Sequence, residues 1–97
     1  MSMLLRDLRY IPELKQVHDQ INNLRHEIRY LKYEKRKAEL ELRNNQKVEY
    51  ESEDFDYEGK IDNLNRIVEF CDHKIYSYHK EISQLKKRRL QLMRYVQ

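Results

Sequence analysis

The sequence predicts an all-α fold: an antiparallel helical hairpin of coiled-coil type with a short N-terminal helix, expected to dimerise into a four-helix bundle. Three observations predict it. Apolar residues recur every seven positions in two long runs. A single Gly and a single Pro occur in 97 residues, too few for a protein of strands and turns. Charged residues make up 38% of the chain and hydrophobic ones 39%, the balance of long helices in water.

The first run is Leu14, Val17, Ile21, Leu24, Ile28, Leu31, Lys35, Ala38 and Leu42. Steps of three and four keep these side chains on one stripe of a helix facing a partner. The second run is Tyr57, Ile61, Leu64, Val68, Cys71, Ile75, Tyr78, Ile82, Leu85, Arg89, Leu92 and Val96. In heptad lettering, Leu14, Ile21 and Ile28 are a positions, as are Ile61, Val68 and Ile75.

Taken in order, residues 1–11 carry Leu4, Leu5, Leu8 and Ile11 and read as a short amphipathic helix. Pro12 suits the first turn of a new helix, where its missing N–H is not needed. That helix is expected over residues 12–44, with Asn44, Asn45 and Gln46 ending it. Residues 45–56 form an acidic, aperiodic loop, whose Ser52, Asp54 or Asp56 can cap the second helix over 57–97. Basic residues gather in its last turns, where the helix dipole favours them. The whole chain is one small domain.

Charges select the register. Setting Leu14 opposite Leu85 brings Val17 to Ile82, Ile28 to Cys71 and Leu31 to Val68. The g positions then meet as Glu13–Arg88, Glu27–Lys74 and Glu41–Lys60, and Arg25 meets Asp72 on the other flank. A shift of one heptad sets Glu27 against Glu81. Exposed pairs are worth only about 0.2–1 kcal/mol each, so they choose among registers rather than drive folding.

One seam leaves each core residue half wet, so a second covered face is expected. Its candidate members are Tyr30, Tyr33, Ile67 and Phe70. Ile67 stands in the series Lys60, Ile67, Lys74, where a lysine would have paired with Glu34. An exposed apolar patch of this kind marks an interface. A homodimer is the first expectation and a foreign protein the second; isolated surface aromatics are the ordinary alternative.

No Gly-rich phosphate loop, metalloprotease motif or nucleophile–base pair is present, so no enzyme, cofactor or metal is expected. His18 and His79, both at e positions, make at most an incomplete zinc site. The net charge of +3 is mild evidence for nucleic acid at best. Arg6, Arg9, Lys86, Lys87, Arg88 and Arg94 gather at the open end of the hairpin, and a nucleic-acid contact there is the rival reading. The stripe Arg25, Arg29, Lys32, Arg36 and Arg43 is expected to be neutralised by Asp62, Glu69 and Asp72 across the seam. Lys35 and Arg89 at core a positions are expected to set register and partner number.

No apolar run approaches the roughly 20 residues of a membrane span, and the start lacks a signal-peptide core. With the lone Cys71 on the core stripe, a reducing, cytoplasmic setting fits. Abundant Lys, Asn, Tyr and Ile suggest an AT-rich genome, such as a low-GC bacterium or one of its phages.

The order of a short helix, the heptad stretch Leu14–Arg25, a polar loop and the heptad stretch from Lys60 to Leu92 resembles the helical front part of phage late-transcription regulators of the RinA/ArpU type. Those regulators continue into a helix-turn-helix, which these residues do not contain. The resemblance therefore implies a relative that pairs with a partner's helices, whether to regulate or to inhibit, rather than one that reads a promoter.

Overall fold

The computed structural model describes residues 11–48 and 57–96, which form two helices packed as a hairpin. The first, α1, spans Ile11–Val48, and the second, α2, spans Tyr57–Val96. The expected N-terminal helix before Pro12 and the acidic loop after Val48 lie outside the described residues, apart from Ile11 itself. Pro12 occupies the first turn of α1, and an acidic residue stands in the first turn of each helix, Glu13 and Glu58. Both choices suit a helix N-terminus, where N–H groups are unpartnered and the dipole is positive.

The structure corrects one boundary. Residues Asn44 and Asn45 do not end α1, which continues to Val48. Asn costs a helix interior only a few tenths of a kcal/mol, and no Gly or Pro stands nearby to stop the chain. In α2, Gly59 is helical with open space where a Cβ would stand, so its lack of a side chain serves no close approach.

Every described residue of the two predicted stripes is buried or half-buried, apart from side chains at the helix ends that lie outside the description. The packing divides into two units. In the unit formed by residues up to Glu27 and from Ser77 onward, Val17, Ile21, Ile82 and Leu92 are buried, Ile21 and Leu92 completely. In the unit Ile28–Tyr76, the buried residues are Ile28, Leu31, Ala38, Leu64 and Cys71. Alternate stripe positions, including Leu14, Leu42, Ile61, Val68 and Leu85, stay half-exposed. A single helix–helix seam produces this result, because only the side chains on the line between the axes are covered from all sides.

Candidate interaction surfaces

Among the described residues, an ion pair joins the helices within each unit. Arg88 of α2 donates to Glu13 Oε1 of α1 from Nη2 at 2.6 Å and from Nε at 3.2 Å. This is the pair that charge matching selects. Lys35 Nζ lies 2.5 Å from Asp72 Oδ1 and 3.9 Å from Glu39 Oε1. The hydrogen bond to Asp72, with the carboxylate charges of Asp72 and Glu39 behind it, raises the Lys35 ammonium above its ordinary range, against a smaller opposing effect of desolvation.

Height matching sets Asp72 opposite Arg25, whereas the structure gives its carboxylate to Lys35. In the unit Ile28–Tyr76, Lys35 therefore reaches a carboxylate that the Leu14–Leu85 register sets against another residue. A further expected pair, Glu41 with Lys60, does not form; both residues are exposed near helix ends, where an ion pair returns little. Cys71 is buried beside this network, and burial first, then the nearby Glu34 and Asp72 carboxylates, pushes its thiol up from the ordinary cysteine range.

The candidate interface residues all lie in the unit Ile28–Tyr76 and all face solvent. Tyr30 is 60% exposed, Tyr33 61%, Ile67 42% and Phe70 57%. Ile67 holds a g position, with Tyr30 and Phe70 at c positions on the same side of the seam, so the three share one flank. Two lysines dress its edges: Lys74 Nζ sits 5.9 Å from the Phe70 ring centroid and Lys37 Nζ 5.7 Å from that of Tyr33. Glu34, left without a lysine at position 67, instead lies 3.9 Å from Lys37 one turn along its own helix.

At the open end of the hairpin, Lys86, Lys87, Arg88 and Arg94 are exposed. Arg88 is held by Glu13, so this cluster presents fewer uncommitted cations than its composition indicates. Arg6 and Arg9 lie outside the described residues. Exposed Leu90, Met93 and Tyr95 stand among these cations, an apolar admixture that sequence reasoning passed over. Its signal was available: Leu90, Met93 and Tyr95 fall at b, e and g, off the seam. His18 and His79 are exposed, and among the described residues no three His, Cys, Asp or Glu side chains gather as a metal site.

The expected neutralisation of the α1 stripe does not take the form of ion pairs to Asp62, Glu69 or Asp72. Among the described residues, the side chains of Arg29, Lys32, Arg36 and Arg43 make no ion pair or hydrogen bond, and all four residues are exposed. Asp72 is drawn onto Lys35, and Asp62 and Glu69 remain exposed on α2. Lys32, Lys35 and Arg36 instead line one side of a surface groove of about 370 Å3, completed by Glu39, Asp72 and Ile75.

No family model, curated protein or solved structure matches this chain. No described helix is long and apolar enough to cross a membrane.

Proposed function

We propose that the protein is a non-enzymatic helical interaction module that homodimerises through the Tyr30–Ile67–Phe70 flank into a four-helix bundle. In this reading it acts in the cytoplasm by binding another protein, as a regulator or inhibitor encoded by a phage or mobile element. The observation that carries the dimer is the exposure of Ile67 and Phe70 beside Tyr30 on one flank of the seam. Tyr30, Ile67 and Phe70 themselves supply the physical need, since a second hairpin laid on that flank removes their exposed apolar surface from water. The RinA/ArpU-like order of elements supports action by helix pairing, and the buried, unpaired Cys71 supports a reducing compartment.

Sedimentation of the wild type and of Ile67→Lys tests the dimer. A lysine buried at the bundle centre without a partner costs several kcal/mol. A new surface pair with Glu34 returns about 0.2–1 kcal/mol. The variant is therefore expected to be monomeric, with a Tm lower than the wild type's and independent of concentration. A monomeric wild type, or an Ile67→Lys dimer of unchanged stability, overturns the reading.

A further inference from the structure

The outward face of α1 within the unit Ile28–Tyr76 has a composition that solvation does not require. Its b, c and f positions are Arg29, Tyr30, Tyr33, Arg36, Lys37, Leu40, Arg43 and Asn44, and every one is exposed. None is a carboxylate. The acidic residues of the same stretch, Glu34, Glu39 and Glu41, all stand at the e and g edges of the seam. The b, c and f positions of α2 in the same unit are the internal comparison: beside Asn63, Phe70, His73 and Tyr76 they carry Asp62, Arg66 and Glu69, so both signs are mixed, as on an ordinary solvated face.

Within the α1 face, Arg29, Arg36 and Arg43 repeat every seven residues, so they form a straight row at intervals of two turns, about 10 Å. None has a partner among the described residues. Guanidinium groups hold phosphate oxygens through paired N–H donors, which suits a repeating phosphate chain better than a single ion. Tyr33 lies beside the row as a flat ring, with the Lys37 ammonium 5.7 Å from its centroid. Cations interleaved with an aromatic ring favour nucleic acid over an acidic protein segment, since a ring stacks on bases and has no such partner on a carboxylate chain.

We propose that the α1 face bearing Arg29, Arg36 and Arg43, with Tyr33 between them, binds the phosphodiester backbone of nucleic acid. This surface is separate from the basic open end. It is also compatible with dimerisation, because the arginine row stands one residue step, about 100°, around the helix from the c position of Tyr30.

The test uses the full chain with a labelled 20-nucleotide single strand and a 20-base-pair duplex of random sequence, followed by fluorescence anisotropy at about 50 and 200 mM salt. The variant is Arg29→Gln/Arg36→Gln/Arg43→Gln, with helix content checked by circular dichroism and the association state by sedimentation. Three duplex phosphate contacts add about 2.7 to the slope of log K against log salt. The wild type should therefore lose about 40-fold more affinity than the variant between the two salts. Tyr33→Ala should weaken the single strand more than the duplex, and Lys86→Gln/Lys87→Gln should bind as the wild type does. Absence of binding at the lower salt overturns the proposal, as does a triple variant that binds unchanged. Loss of binding in the Lys86/Lys87 variant instead assigns the contact to the open end. Tighter binding of poly-glutamate than of either oligonucleotide overturns it in favour of an acidic protein.

Discussion

Lys35 of α1 and Asp72 of α2 meet at 2.5 Å, a cation from a core position of one helix reaching the flank of the other. The Lys35 side chain is 33% exposed and that of Asp72 54%, so water screens the pair. Polar groups at single a positions of coiled coils commonly restrict register and partner number at some cost in stability.

Lys35→Met is therefore expected to raise the Tm while loosening association. Apolar contact at the seam replaces a screened charge, and a polar group that opposes alternative pairings is gone. Sedimentation should show a broader distribution of species than the wild type. A lower Tm with one sharp species would mean that the Lys35–Asp72 contact is a net source of stability.

The Cys71 thiol gives a pH dependence. Its folded-state pKa is raised, so the folded chain holds the thiol proton more tightly than the unfolded chain does. The corresponding stability is fully present below the unfolded thiol's value of about 8.5 and is lost as pH rises from there through the folded value. Lys35, also raised, loses its contribution only above its unfolded value of about 10.4. Denaturant midpoints should consequently hold from pH 7 toward the unfolded thiol's value of about 8.5 and fall above it. The fall should be shallower in Cys71→Ala, and an equal slope in both proteins would remove Cys71 as the cause.

Ile21 is completely buried, whereas Leu40 is 50% exposed on the outward face of α1. Ile21→Ala should cost about 2–5 kcal/mol, through lost transfer energy and the cavity left behind. Leu40→Ala should change stability by about 0.5 kcal/mol or less. Urea unfolding compares the two directly. Equal losses would show that Leu40 is covered in solution, and therefore that α1 has a further partner.

The Arg88–Glu13 bridge makes a prediction about chain pairing. Cysteines placed at Leu14 and Leu85 in a Cys71→Ser background should join within one chain on oxidation, because both positions flank that bridge in the same unit. Linkage between chains only would indicate swapped or extended partners.

Most of the fold was legible in the seven-residue pattern. A side chain's height and facing direction on a helix follow from its residue number, so the stripes from Leu14 to Leu42 and from Ile61 to Leu92 specify two helices and their seam before any coordinates. The Glu13–Arg88 pair was legible for the same reason: it joins residues at nearly the same height. Three features needed the tertiary structure. The pairing of Asp72 with Lys35 depends on how the helices align in the unit Ile28–Tyr76, which seven-residue spacing leaves open. The end of α1 beyond Asn45 depends on helix propagation outweighing the weak preference of Asn for caps. Whether Arg29, Arg36 and Arg43 form ion pairs depends on which side chains the packing sets within reach of Asp72. Lys35, rooted in the seam itself, takes Asp72.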